Sequence, residues 1–300
     1  MIPYFKNEKV TLYHGDCREV LPKLTEKIDL VLTDPPYIML DIEWDKKDIF
    51  SEAIDLIIPL LANSSAVVFW GRGDSAYGHN LEWARRGFKF SEEIIWDKRR
   101  VGSPMNAVPR SHEMVFVRTR NRSLNKCRVD FFDAVVIETA KIREELRRLR
   151  QGLVGKNKKE VLQYIDTLEL KFKAPSPGRG LSRSQATPCV GREVAAVRFF
   201  MHGGRPKSII ADAPDHYRRE HPTQKPTYIT SVLARLASDP GATLLDPFAG
   251  SGTTGIAAIK TGRRAILIEA EEKYCEIIAR RIQAETAQME LPFDCSKEGN

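Results

Sequence analysis

Residues Ala242-Thr243-Leu244-Leu245-Asp246 run straight into Pro247-Phe248-Ala249-Gly250-Ser251-Gly252-Thr253-Thr254, and the reading of this stretch decides the fold. The first five residues read as a buried strand: short, aliphatic and bounded by turn formers. The glycines mark a tight turn, and a helix follows through about residue 261. Arg264 to Ile268 reads as a second strand ending in Glu269, with a long amphipathic helix from Glu271 to about Thr286. The acid lies 23 positions beyond Asp246, close to the ~20 expected of a carboxylate that grips a ribose diol. Strand, glycine turn, helix, strand and acid together make a βαβ unit suited to a nucleoside. No G-K-[ST] closes the turn, which argues against a triphosphate loop. A purely structural glycine turn is the competing reading.

Upstream, Ile28-Asp29-Leu30-Val31-Leu32 reads as another buried strand, and it ends in Thr33-Asp34-Pro35-Pro36-Tyr37. Each proline fixes its own φ and lacks an N–H, and the residue before a proline is held extended. Asp34 and Pro35 both precede prolines, so a stiff set of acceptors forms: one carboxylate and main-chain carbonyls beside an aromatic ring. That set suits a planar group bearing an NH₂; a proline-stiffened loop with Tyr37 as a core lid is the alternative. Closer to the N-terminus, a strand over 10–13 leads through His14-Gly15-Asp16-Cys17 into a short helix over 18–24. Asp16 therefore sits where a carboxylate also serves as a helix cap. His221-Pro222-Thr223-Gln224-Lys225-Pro226 precedes a helix from Thr227 to Ser238. The exposed N–H groups there, with Lys225, make a seat for a carboxylate or phosphate, or else an ordinary proline-punctuated turn.

Between these motifs a helix is expected over Phe50–Leu61 and a strand over Ser65–Trp70 ended by Gly71. A helix follows over about 75–86, then strands over Phe90–Trp96 and Glu113–Arg118 flanking a basic loop, Arg99–Arg110. Alternating strands and helices predict an α/β fold, a mostly parallel sheet with helices on both faces. From about 119 the texture changes. Residues 118–128 carry Arg118, Arg120, Arg122, Lys126 and Arg128 without an acid, and a charged helix over 137–151 follows, with a Pro/Gly/Ser-rich stretch at 174–191. Solvated helix faces explain such charge runs, but several in one region favour a polyanion-binding insert. A net charge of +7 over 300 residues is compatible with a polyanionic partner. The five cysteines are scattered with no C-x-x-C, so no disulfide framework or structural zinc site is indicated and no metal is expected. A reducing cytoplasm fits, and no apolar run approaches membrane-spanning length.

Taken together, Asp34-Pro35-Pro36-Tyr37 and Asp246 to Thr254 resemble the catalytic and cofactor motifs of the S-adenosylmethionine-dependent DNA amino-methyltransferases. The catalytic motif comes first, as in the permuted beta class, and Gly15-Asp16-Cys17 and the 221–226 segment are similar to further elements of that class. The resemblance covers about 1–118 and 207–286. It implies a Rossmann-like, circularly permuted methyltransferase fold, with catalytic half 1–118, an inserted target-recognition region 119–206 and cofactor-binding half 207–300. It implies that Asp34 and the Pro35 carbonyl, in a catalytic motif that includes Pro36, receive the amine of a base swung out of the duplex, with Tyr37 stacked on it. It places Glu269 on the cofactor ribose and Phe248, Ala249, Gly250, Ser251, Gly252 and Thr253 along the methionine and ribose. Asp16 and the Cys17 backbone would read the adenine edge, Thr223 and Lys225 would hold the carboxylate, and Asp246 would meet the amino-acid moiety. Phe248 is equally readable as core. Arg99, Arg100, Arg120, Arg122, Lys126 and Arg128 are the expected DNA contacts. Aspartate heading the catalytic motif resembles the N6-adenine enzymes more than the N4-cytosine ones, which remain the runner-up. An RNA or protein-amide substrate and a non-catalytic subunit are the remaining readings. Double-stranded DNA is the expected partner, with a second copy of the chain and a cognate restriction endonuclease as candidates.

Overall fold

The computed structural model describes residues 1–36, 48–98, 111–127, 208–211 and 224–290, without side chains at 211, 289 and 290. Residues 1–126 and 207–300 belong to one compact unit. Its strands are β1 (Phe5–Lys6), β2 (Val10–His14), β3 (Ile28–Thr33), β4 (Leu61–Gly71), β5 (Lys89–Asp97), β6 (His112–Arg120), β7 (Ile209–Ala211), β8 (Thr243–Asp246) and β9 (Arg264–Glu269). Its helices are α1 (Cys17–Val20), α2 (Ile49–Ile57), α3 (Gly73–Arg85), α4 (Thr227–Ala237), α5 (Thr253–Lys260) and α6 (Glu272–Glu290).

The strands form one sheet in the order β1-β2-β9-β8-β3-β4-β6-β5-β7. The five central strands, β2, β9, β8, β3 and β4, are parallel, and their β-branched and aliphatic runs are buried as expected for a sheet covered on both faces. The pair β3/β8 is where the winding reverses: the crossover through α5 carries β8 towards β9, and that through α2 carries β3 towards β4 on the other side. Ligands of open α/β sheets bind outside the carboxyl ends of the strands at such a point. Two strands depart from the parallel expectation. β6 runs antiparallel to both β4 and β5, and β1 antiparallel to β2; side-chain periodicity carries no information on strand direction.

Proline sets two element ends differently from the expected helices. The helix expected to reach Leu61 stops at Ile57, because Pro59 cannot donate to the helical ladder; a 3₁₀ turn over Ile58–Leu60 follows, and β4 begins at Leu61 rather than Ser65. Pro22 likewise limits α1 to Cys17–Val20 and converts Leu21–Lys23 to a 3₁₀ turn. One sheet face packs Val31, Val67, Phe69, Leu245 and Ile266 with Phe50, Ile54 and Ile57 of α2 and Ala76 and Trp83 of α3. On the other face α5 sits close to the sheet: a Cβ on Gly255 would come within 2.9 Å of Leu267 and 2.8 Å of Ile282 of α6. The compact layers fix the carboxyl edge on which the motifs lie.

Candidate active site

At the carboxyl ends of the central strands stand Asp16 after β2, Glu269 ending β9, Asp246 ending β8, Asp34 after β3 and Trp70 near the end of β4. The expected motifs thus share one edge, with the proline motif and the glycine turn side by side at the reversal point. Thr33 joins them. Its hydroxyl donates to Asp246 Oδ1 at 2.7 Å, across 213 positions of sequence. The Thr254 hydroxyl donates to Asp246 Oδ2 at 2.7 Å, and the Phe248 N–H to Oδ1 at 3.2 Å. Burial pushes the Asp246 carboxyl up to about 6; these three donors work against that rise, and the nearby charge of Asp34 adds to it. A carboxylate so enclosed favours a cationic neighbour.

The glycine turn is held from both ends. The N–H groups of Gly250 and Glu271 donate to Glu269 Oε2 and Oε1 at 2.7 and 2.9 Å, leaving each carboxylate oxygen a lone pair for a diol. Burial raises the Glu269 pKa, and those two N–H groups oppose the shift. Gly252 turns the chain into α5 with φ +74°, and a Cβ there would lie 2.9 Å from Ile278 of α6; only glycine meets both demands. Ala249 N–H donates to Ile268 and Gly252 N–H to Ala249, while the Ser251 and Thr253 hydroxyls bond to each other at 3.0 Å. The Ser251 carbonyl accepts from Arg281. Phe248 packs edge-on to Phe50 at 5.9 Å, on the α2 side of the sheet. The geometry fits S-adenosylmethionine: a diol acceptor, a tight turn approaching the ribose and a buried acid for the amino-acid ammonium.

Asp16 caps α1, accepting from Arg18 N–H at 2.8 Å, and is gripped by the Arg18 guanidinium at 2.6–3.2 Å. Hydrogen bonding from Arg18 holds its carboxyl below the usual range. Arg18 also reaches Glu52 of α2 at 2.8 Å, which ties the loop after β2 to the helix packed beside it on the same sheet face. Cys17 is buried, and burial drives its thiol up to about 12, so any contribution to a nucleoside falls to its backbone.

Lys225, expected at the cofactor's carboxylate, extends to the catalytic motif. Its ammonium contacts Asp34 Oδ2 at 2.6 Å and Glu113 Oε2 at 3.1 Å, and it sits 5.9 Å from the Trp70 ring centroid. Burial alone would lower the Lys225 pKa; the charges of Asp34 and Glu113 reverse that and hold it above its ordinary value. Burial would raise Glu113, but Lys225 and Lys98, also paired with it, hold its carboxyl below the usual range. Pro226, read as part of the first helical turn, instead occupies the position just before α4.

Tyr37, Thr223, Arg99, Arg100 and Arg128 lie outside the described residues. The basic stretch from 118 is corrected in part. Arg118 is buried and donates to Asn80 at 2.6 Å and the Phe88 carbonyl at 2.7 Å. Arg120 stacks its guanidinium 4.8 Å from the Phe88 ring and donates to the Ala62 carbonyl. Arg122 is largely buried beside Asp239 and Asn125. Arg120 pairs in register with Ser65, six residues from Gly71 at the site end of β4, or roughly 20 Å. These arginines hold the opposite edge of the sheet together, and of the described candidates only Lys126 is exposed. β6 runs through Arg120, and Asn125 bonds the carbonyls ending α4, so the compact unit reaches Lys126. Sequence reading missed Thr33, Thr254, Glu113 and Trp70. The first two adjoin the motifs and were open to notice; Glu113 is a lone acid at a strand's start and carried no signal.

A family model described as DNA methylase (N6_N4_Mtase) matches residues 28–280. The chain is 26% identical over 306 residues to Type II methyltransferase M2.DpnII of Streptococcus pneumoniae, covering 94% of this chain and 93% of that one. It is 28% identical over 300 residues to DNA adenine methyltransferase YhdJ of Escherichia coli K12, covering 93% and 84%. The M1.HpyAVI–SAM complex superposes with a TM-score of 0.53 at 20% identity, over 91% of this chain and 99% of that one, and shows the shared fold.

Proposed function

The chain belongs to the DNA methylase family, and from that premise we propose that it methylates the exocyclic N6 of adenine at defined sites in duplex DNA. As a member of that family it uses S-adenosylmethionine and acts on DNA. The observation that carries the reading is the joining of Asp34 and Asp246 at the β3/β8 reversal, through the Thr33 hydroxyl, beside the glycine turn. The adenine assignment is supported by aspartate at the head of the motif and by the adenine activity named for the Escherichia coli relative.

S-adenosylmethionine, when bound, supplies a methyl carbon that the amine lone pair takes to form the new N–C bond as the S–C electron pair returns to sulfur. Glu269 would receive the ribose hydroxyls, Asp246 the amino-acid ammonium, and Asp16 with the Cys17 backbone the adenine edge. A base amine is a poor nucleophile because its lone pair is delocalised into the ring. Asp34 and the Pro35 carbonyl accept the two amine N–H groups and favour the tetrahedral nitrogen, whose lone pair is localised. Their backbone rigidity keeps the orientation at little entropic cost. The nitrogen sheds one proton, to Asp34 and on to solvent, as it acquires the methyl group. The segment from 127 to 206, rich in basic residues, is our candidate for target recognition. The type II enzyme among the relatives supports pairing with a restriction endonuclease.

The test is base analysis of duplex DNA incubated with the protein and S-adenosylmethionine. N6-methyladenine is expected, and N4-methylcytosine alone would refute the adenine assignment. Asp34→Ala should cut turnover by about 1000-fold or more, since it removes an acceptor made for the transition state, with cofactor affinity largely kept.

A further inference from the structure

We propose that Lys225 is a positioning residue for the catalytic carboxylate, clamping Asp34 from behind, and that Glu113 and Lys98 complete the clamp. The inference rests on the reading of Asp34 given above and departs from a role for Lys225 at the cofactor's carboxylate.

Four side chains of alternating sign run along the carboxyl edge: Asp34 after β3, Lys225 before α4, Glu113 in β6 and Lys98 after β5. Lys225 and Glu113 are 7% and 13% exposed, against 20% for Asp34, so the carboxylate faces the open side and its cation the interior. The two acids and two lysines balance in charge. Removing Lys225 would leave two acids converging on one buried point, an arrangement that costs far more than the pair itself contributes. Asp246 is the other acid near Asp34 and is already occupied by three donors.

Lys225 is anchored at its other end too. Its carbonyl accepts from Thr253 Oγ1, the first residue of α5, at 3.3 Å, and Pro226 fixes the backbone as it enters α4. One residue thus touches the glycine-turn helix through its backbone and the catalytic motif through its head. With Oδ2 tied to a fixed ammonium, rotation of the Asp34 carboxylate is arrested, and the orientation an incoming amine needs is set in advance. The Trp70 ring beside the ammonium adds a cation–π contact in a dry setting. With the ammonium on Oδ2, the amine N–H and the departing proton go to Asp34 Oδ1.

The experiment uses full-length protein and separates turnover from cofactor affinity. Lys225→Met should lower kcat by about 100-fold, the scale of losing one organising contact, while the Kd for S-adenosylmethionine by calorimetry stays within about threefold, and Lys225→Arg should recover much of the loss. Combining Lys225→Met with Asp34→Asn should be no slower than Asp34→Asn alone, because the two act as a unit. A loss confined to cofactor affinity, with kcat near normal, would return Lys225 to the cofactor's carboxylate and overturn the proposal, as would multiplicative effects in the double variant. Should Lys225→Met fail to fold, Glu113→Gln keeps the lysine and decides: reduced kcat at unchanged Kd is expected, and unchanged kcat overturns the clamp. Near-normal turnover in Asp34→Asn would instead sink the underlying assignment of Asp34.

Discussion

Asp246 keeps a carboxylate where burial disfavours its charge. Its folded pKa, about 6, lies above the ordinary 3.8, so the folded state holds the proton more tightly than the unfolded chain does. The associated stability is fully present below about pH 4 and is lost as pH rises through about 6. Asp246→Asn should therefore stabilise the protein by about 1–3 kcal/mol at pH 8 and by almost nothing near pH 4, which urea unfolding at the two pH values would measure. The same change should weaken S-adenosylmethionine binding by about tenfold, through loss of a charged hydrogen bond. Stability given up in return for binding is a usual mark of a functional group. The placement of Asp34, Gly250, Gly252 and Glu269 at strand ends on one edge was legible because prolines, glycines and strand ends punctuate the sequence around them. The contact of Lys225 with Asp34 was not, since it depends on how distant segments meet, which local pattern does not encode.

At the level of elements, the turn into α5 leaves the least freedom. Gly252 combines a left-handed φ of +74° with a 2.9 Å approach to Ile278, a fully buried side chain. Gly252→Ala should cost about 2–4 kcal/mol, adding left-handed strain to overpacking, and denaturant midpoints would show it. Strand and helix identity was readable from hydrophobic period for the central βαβ units. The end of α2 was misjudged because apolar residues continue through Pro59 to Leu61, so the pattern looked unbroken while the backbone could not comply. The direction of β6 was invisible for a different reason: alternation is identical for a strand read either way. The basic stretch misled because Arg118 and Arg120 belong to β6, where a guanidinium can lie over an aromatic ring or cap a carbonyl as readily as face a phosphate.

For the whole molecule, the +7 charge predicts DNA binding that weakens steeply as salt rises. The slope of log Kd against log salt should be unchanged in Arg120→Ala and Arg122→Ala, whose charges serve the fold. Lys126→Ala should lower it by about one; fluorescence anisotropy over a salt series measures all three. The pairing of β3 with β8 rests on Leu30 with Leu244 and Val31 with Leu245, the only register contacts between those strands. A ribosome making this chain releases Thr33 a full 213 positions ahead of its partner Asp246, and Lys225, which contacts Asp34, also comes late. The acceptor cluster therefore gains its support only after β8 has emerged and paired with β3.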